Sequence, residues 1–110
     1  GLLGLPATYA FQRRLNTLRA EAPVASRDGG VRRYKFRWQA GGLGERTYRL
    51  QLLREGAEAP VVDEAGLTMQ ELTVTDLAPG VYNWRVMSRT FAGGGYYEKW
   101  TPLERFEIGR

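Results

Sequence analysis

Residues 77–86 read Leu-Ala-Pro-Gly-Val-Tyr-Asn-Trp-Arg-Val and decide the fold class of this 110-residue chain. A Pro-Gly turn leads into a run in which Tyr82, Trp84 and Val86 alternate with polar residues. Strict alternation of this kind is typical of a β-strand with one face buried and the other in water. The stretch therefore predicts an antiparallel sheet, and it contains no reactive group.

The same alternation recurs along most of the chain, with glycine and proline between the runs. Trp38 and Trp84 fall on the inward sides of their runs, so we expect both indoles in the core. The predicted strands are residues 22–25, 31–39, 46–54, 60–63, 67–75, the run that contains Trp84, and 97–108 with a break near 100–102. About seven short strands separated by turns are the pattern of a β-sandwich.

The composition excludes several kinds of chemistry. The sequence has no cysteine and no histidine, which excludes a disulfide scaffold, a Ser-His-Asp triad and zinc sites built on these ligands. Neither Ser26 nor Ser88 has a lysine placed near it in the sequence, so no alternative Ser-Lys dyad is indicated. The carboxylates of Asp63 and Glu64 are predicted in a loop, where nothing perturbs their protonation, so they do not form a general acid–base pair. We therefore predict no catalytic residue, no metal site and no cofactor, and a protein that is not an enzyme.

Charge is distributed unevenly along the chain. Residues 1–54 carry eleven Lys and Arg against three Asp and Glu, whereas residues 55–110 carry five against nine, so the halves are +8 and −4. One interpretation is that basic and acidic strands lie side by side and pair weakly. The other is a basic patch for an acidic partner.

Residues 1–21 form a predicted arm or linker, and residues 22–110 form one domain of ordinary size. The apolar opening, residues 1–11, is too short for a membrane span of ~20 residues. A short helix over residues 8–20 and an extra strand are the competing interpretations of the arm. We expect the arm to pack on its own domain or on a neighbour.

Residues 91–100, Phe-Ala-Gly-Gly-Gly-Tyr-Tyr-Glu-Lys-Trp, are the best candidate for a binding loop. Loops at strand ends commonly carry binding sites in sandwiches, and Tyr96, Tyr97 and Trp100 suit sugar stacking or protein recognition. The alternative is that Trp100 and one tyrosine cover the open edge of the core. No Gly-Lys-Ser/Thr follows the glycines, so this is not a phosphate loop.

Arginines form a second candidate site. Arg49 and Arg85 occupy outward positions on strands predicted to be neighbours, and with Arg89 and Lys99 they form a cationic surface. Another basic group comprises Arg33, Lys35 and Arg37. Nucleic-acid binding is not expected, because such sites interleave basic and stacking aromatic residues and here the aromatics alternate to the buried side. A solvated face is the plainer interpretation.

Four motifs carry a resemblance to a known family: FRW at 36–38, YRLQL at 48–52, LAPGVYNWRV at 77–86 and RFEI at 105–108. Over residues 22–109 the chain resembles fibronectin type III-like domains of bacterial envelope and cell-surface proteins, including those attached to FecR-type regulators. The resemblance implies a seven-stranded antiparallel Greek-key β-sandwich. Tyr82 follows Leu77 by five residues where the animal domains have six, so the sequence leaves the tyrosine-corner hydrogen bond open.

The resemblance implies a non-enzymatic protein-interaction or spacer module of a bacterial envelope or secreted protein, located in the periplasm, at the cell surface or outside the cell. Rigid loops and edge strands would meet a protein partner, or the N-terminal arm or an edge strand would pair with a second copy. One alternative is a carbohydrate-binding accessory domain that uses Tyr96, Tyr97 and Trp100. The other is a regulatory domain that senses an anionic ligand through Arg49 and Arg85.

Overall fold

The computed structural model describes residues 17–42 and 44–109, and all of the regular elements among them are β-strands. In chain order the strands are β1 (Thr17–Ala20), β2 (Val24–Asp28), β3 (Val31–Gly41), β4 (Glu45–Arg54), β5 (Val62–Leu67), β6 (Glu71–Thr75), β7 (Gly80–Ala92), β8 (Gly95–Trp100) and β9 (Glu104–Ile108). The predicted all-β class is confirmed for this part of the chain. The predicted count of seven strands is wrong, because the described residues contain nine.

The strands form two antiparallel sheets. In the first, β3 pairs with β1 and β2 and, on its opposite edge, with β6. In the second, the order is β5-β4-β7-β8, and β9 also pairs with β7. Side chains from β3 meet side chains from β4 and β7 between the sheets, an arrangement compatible with a β-sandwich.

Two features raise the number of strands. Residues assigned to the arm contribute β1, and the predicted strand 97–108 is split into β8 and β9 around Pro102. Proline cannot donate to a strand ladder, and in this gap Thr101 takes over: its N–H donates to the Val86 carbonyl, and its hydroxyl oxygen accepts from the Val86 N–H, both at 2.9 Å. The predicted strand 67–75 is also wrong, because Leu67 ends β5 and β6 begins at Glu71.

The core is built from the inward positions of the alternating strands. Its buried members are Tyr34, Phe36, Trp38, Tyr48, Leu50, Leu52, Tyr82, Trp84, Val86 and Ile108. Phe36 and Trp84 meet edge-to-face across the sheets with ring centroids 5.0 Å apart, a favoured aromatic geometry. The prediction that Trp38 and Trp84 belong to the core is confirmed. Within the described residues neither indole nitrogen has a hydrogen-bond partner.

The tyrosine corner forms despite the shorter spacing. The Tyr82 hydroxyl donates to the Ala78 carbonyl at 2.6 Å. Asp76, at the end of the preceding strand, has a φ of 59°, a left-handed conformation that aspartate tolerates better than most residues. The hydrogen bond ties β7 to the turn before it.

The described end of the N-terminal arm is a strand. Residues 17–20 pair with β3 from Thr17 opposite Gly41 to Ala20 opposite Trp38, so the helical interpretation is wrong for these four residues. Residues 1–16 lie outside the described part of the chain, and their interpretation stays a prediction. In the part that is described, no helix is long and apolar enough to cross a membrane.

Candidate functional site

The segment predicted as a binding loop is a tight β-hairpin. Strand β7 continues to Ala92, which pairs with Gly95 at the start of β8. Gly93 and Gly94 make the turn with φ values of 60° and 81°, and positive φ at both central residues is what a two-residue type I′ turn requires. The prediction of a loop over residues 91–100 is therefore wrong, and Tyr96, Tyr97 and Trp100 lie on a paired strand.

The hairpin separates the three predicted aromatic residues. Side chains alternate along a strand, so Tyr96 and Trp100 share the outer face of the second sheet with Phe91, their neighbour on β7. Tyr97 lies opposite Thr90, a buried residue, and is directed to the other side of β8. The structure thus brings Tyr96 and Trp100 together and leaves Tyr97 apart. Trp100 covers no core edge, because it lies on the outer face.

Met87 lies at the centre of this outer face. It is directly opposite Arg49 on β4 and Trp100 on β8, and Arg85 and Arg89 flank it at the next outward positions of β7. Only 8% of Met87 is exposed, although it is not a member of the core cluster. We call this surface the arginine–aromatic face, comprising Arg49, Gln51, Asp63, Arg85, Met87, Arg89, Phe91, Tyr96, Glu98 and Trp100.

Guanidinium groups stack on two of the aromatic rings. The Arg85 guanidinium carbon is 4.3 Å from the ring centroid of Trp100, and that of Arg89 is 4.2 Å from the ring centroid of Tyr96. The rings of Phe91 and Tyr96 are in turn 4.9 Å apart. Cation–π contacts of this kind attract and orient both partners, so these side chains are held in place before any ligand arrives.

Carboxylate and amide groups fix the remaining arginine. Nε and Nη2 of Arg49 donate to Oδ1 and Oδ2 of Asp63, each at 2.8 Å, which is the bidentate geometry typical of Arg–carboxylate pairs. Gln51 Nε2 donates to Asp63 at 3.4 Å, and Arg85 Nε donates to Gln51 Oε1 at 3.0 Å. These hydrogen bonds connect β5, β4 and β7 across the sheet.

The Arg49–Asp63 pair shifts the pKa of both groups in the direction that favours their charged forms. The hydrogen bond from Arg49, with a smaller one from Gln51, holds the pKa of Asp63 below its usual value, and the same hydrogen bond raises the pKa of Arg49. The prediction that Asp63 lies in a loop with nothing to perturb it is wrong, because it lies in β5 against an arginine. Arg49 and Asp63 lie on different strands and are 14 residues apart in the sequence, so no local pattern indicated that they pair.

The predicted cationic surfaces are largely neutralised. Arg89 lies 3.8 Å from Glu98, so the arginine–aromatic face carries three arginines against Asp63 and Glu98. Lys99 falls on the other side of β8 from Glu98. On the first sheet, Arg33 pairs with Asp28 at 3.3 Å and Lys35 pairs with Glu71 at 3.4 Å; Arg37, the third member of that basic group, lies opposite Glu71.

A cleft opens at the hairpin end of the arginine–aromatic face. Its volume is about 660 Å³, and it is lined by Glu45, Arg46, Thr47, Thr68, Arg89, Phe91 and Tyr96. Gly44 (φ 102°) packs closely against Phe91: an added Cβ would lie 2.5 Å from the Phe91 carbonyl oxygen. The connection before β4 is therefore fitted against the hairpin. Phe91 and Tyr96, 44% and 61% exposed, form the rim.

Comparisons with protein-family models, with curated proteins and with solved structures found no match. Among the described residues, no group of carboxylates is arranged to hold a metal ion. Met87, Gln51 and Asp63 are members of the arginine–aromatic face that the sequence reasoning missed. Met87 had one signal: it is an apolar residue at an outward position between two arginines.

Proposed function

We propose that this chain is a non-enzymatic protein-interaction module and that it binds its partner through the arginine–aromatic face and the adjoining cleft. One observation carries the proposal: Phe91, Tyr96 and Trp100 are exposed together on one face of a paired hairpin, and arginines hold two of them in place. Tyr, Trp and Arg dominate the binding energy of protein interfaces. Side chains ordered in advance lose little entropy on binding.

The proposal includes the finer fold assignment, a Greek-key β-sandwich of the fibronectin III type in an envelope or secreted protein. Two observations support it: the hydrogen bond of Tyr82 to the Ala78 carbonyl, and the strand order β5-β4-β7-β8 opposite a sheet centred on β3. The compartment rests on the resemblance of the sequence motifs alone.

Carbohydrate binding fits the surface less well. Sugar rings stack on open aromatic faces, whereas Trp100 and Tyr96 each have a guanidinium over the ring. Tyr97, the third ring of that hypothesis, lies on the other side of β8. A protein partner can instead use the exposed ring edges and the remaining arginine N–H groups together.

Anion sensing through Arg49 and Arg85 also fits less well. The Nε and Nη2 donors of Arg49 are both engaged by the Asp63 carboxylate, and Arg85 is held by Gln51 and Trp100. A small anion would have to break these contacts before it gained new ones. A protein partner leaves them intact and adds contacts at the rim.

The test is a comparative capture from an envelope extract of the source organism. The full chain, its Tyr96→Ala and Trp100→Ala variants and a Leu103→Ala control are immobilised, and retained proteins are quantified by mass spectrometry. Leu103 is an apolar residue outside the face, and its exposed fraction lies between those of Trp100 and Tyr96. We expect a protein that the wild type and Leu103→Ala retain and that both aromatic variants lose at least tenfold.

Circular dichroism and thermal unfolding verify that each variant is folded. Each retained protein is then purified, and its Kd for the four chains is measured. Two outcomes contradict the proposal: no protein retained above background, as expected of a spacer, and equal retention by all four chains, as expected of binding outside the face. Retention only through glycans, abolished by glycosidase treatment of the extract, favours the carbohydrate alternative.

A further inference from the structure

A groove runs between the two sheets at the end of the molecule opposite the β7–β8 hairpin. Its volume is about 450 Å³, within the usual range of binding pockets. It is lined by Ala25, Ser26, Arg27, Arg32, Tyr34, Phe106, Glu107, Ile108 and Gly109. Strand β2 forms one wall and β9 the other, and Tyr34, Phe106 and Ile108 give it an apolar floor.

Two arginines of like charge face each other on the β2 wall. Arg27 and Arg32 are directly opposite in the β2–β3 hairpin, where cross-strand Cβ atoms lie ~5 Å apart and like charges destabilise the pair. The neighbouring Arg33, on the other face, is paired with Asp28 at 3.3 Å. Among the described residues neither Arg27 nor Arg32 has an ion-pair partner, so no carboxylate of this part of the chain offsets the like-charge pair.

The walls of the groove also offer main-chain hydrogen-bonding groups. Within the described chain β2 pairs only with β3, and β9 pairs only with β7, so each strand keeps one free edge. Free edges accept an added strand from another chain. Among the described residues that line the groove, Glu107 is the only one with a carboxylate, and it lies 3.8 Å from Arg105. The groove therefore combines free strand edges, an apolar floor and the guanidinium groups of Arg27 and Arg32.

We propose that this groove binds an extended acidic peptide segment of a partner protein. A carboxylate side chain of the peptide lies between Arg27 and Arg32, its main chain pairs with a free edge, and its apolar side chains pack on the floor. Two guanidinium groups suit a planar carboxylate, which accepts hydrogen bonds at both oxygens. A small free anion would use the arginines alone. This site is separate from the arginine–aromatic face and goes beyond the function proposed above.

The experiment selects peptides on the immobilised full chain from a displayed library of random octapeptides, with the Arg32→Gln variant as the counter-selection. The strongest peptide is synthesised in two forms, one with its Asp or Glu and one with Asn or Gln there. Both are titrated into isotope-labelled protein and followed by NMR. We expect selected sequences with one acidic residue between apolar ones, and shifts centred on residues 25–27 and 106–109.

Matched variants decide whether the arginines act as proposed. We expect at least tenfold weaker binding for the amide form of the peptide and for Arg32→Gln, and unchanged binding for Arg33→Gln and Tyr96→Ala. Without peptide, Arg32→Gln should melt about 1–4 °C higher because it removes the like-charge opposition.

The proposal is overturned if no sequence is selected over Arg32→Gln, if Arg32→Gln and Arg33→Gln lose binding equally, or if the shifts centre on residues 91–96. Inorganic phosphate that binds more tightly than the acidic peptide also overturns it, in favour of a small-anion site. Tyr96→Ala is expected to lose the captured partner but to bind the peptide unchanged. The failure of one experiment therefore does not imply the failure of the other.

Discussion

At the scale of single residues, Met87 explains how an outward face acquires a buried centre. Alternation places it on the solvent side of the second sheet, yet only 8% of it is exposed. Arg49 and Trp100 lie opposite it on the two neighbouring strands, and the aliphatic stems of arginines cover apolar surface while their charged ends stay in water. The arginine–aromatic face is therefore a small packed layer rather than a set of independent side chains.

We predict that Met87→Ala lowers the free energy of unfolding by about 2 kcal/mol, the low end of the range for a buried Met→Ala change. Urea denaturation followed by tryptophan fluorescence measures it. Met69→Ala is the matched control, because Met69 is 64% exposed and its loss should change stability by less than about 0.5 kcal/mol. Equal small effects of the two changes would contradict the packed layer.

Asp63 should make this layer sensitive to acid. Its pKa is lowered in the folded chain by Arg49, so its stabilising contribution is present above the unfolded pKa of ~3.9 and is lost as the pH falls through the folded value. Asp63→Asn should therefore destabilise the protein at neutral pH and have a smaller effect at about pH 2. Urea denaturation at the two pH values measures this difference.

Arg49→Gln supplies the control for Asp63. In that background Asp63→Asn should lose most of its effect at neutral pH, because the two residues act as a pair. An NMR titration of the Asp63 carboxyl carbon should give a higher midpoint in Arg49→Gln than in the wild type. An unchanged midpoint would show that Arg49 is not the cause.

At the scale of elements, the β7–β8 hairpin converts a flexible-looking sequence into a rigid platform. β7 is the longest strand and pairs with β4 along one edge and with β8 and β9 along the other. Gly93 and Gly94 close the hairpin with positive φ. Tyr96 and Trp100 are therefore fixed by ladder pairing on β8, which a mobile loop would not provide.

We predict opposite outcomes for alanine at two adjacent glycines. Gly94 has a φ of 81° with no atom within 4 Å of an added Cβ, so Gly94→Ala should cost about 1 kcal/mol from backbone strain alone. Gly95 also has room and has no positive φ, so Gly95→Ala should be neutral or stabilise by up to about 1 kcal/mol. Thermal and urea unfolding measure both, and equal effects would rule out this turn.

The elements also show how far sequence reasoning reaches. Inward positions such as Trp38 and Trp84 were predictable because alternation is a local signal. The hairpin was not, since three consecutive glycines conceal which two make the turn, and the aromatic residues after them fit a loop equally well. The Arg49–Asp63 contact joins strands through a register that no local pattern encodes, so Gln51 and Asp63 could not be recognised from the sequence as members of the candidate face.

At the scale of the whole molecule, the uneven charge of the chain is resolved partly within the fold. Arg49 pairs with Asp63 and Lys35 with Glu71, each joining the basic first half to the acidic second half. This confirms side-by-side pairing of basic and acidic strands for these two contacts, although exposed pairs stabilise little. The proposed binding surfaces lie at opposite ends of β7, so variants at one should leave the other intact.

The footprint of the captured partner on the full chain tests the central claim most directly. Hydrogen exchange is measured with and without that partner, at a concentration that saturates the wild type. The account predicts slowed exchange within residues 87–100 and unchanged exchange in β6, whose residues 71–75 lie in the other sheet. Slowed exchange in β6 with residues 87–100 unchanged would contradict the assignment of the arginine–aromatic face as the binding surface.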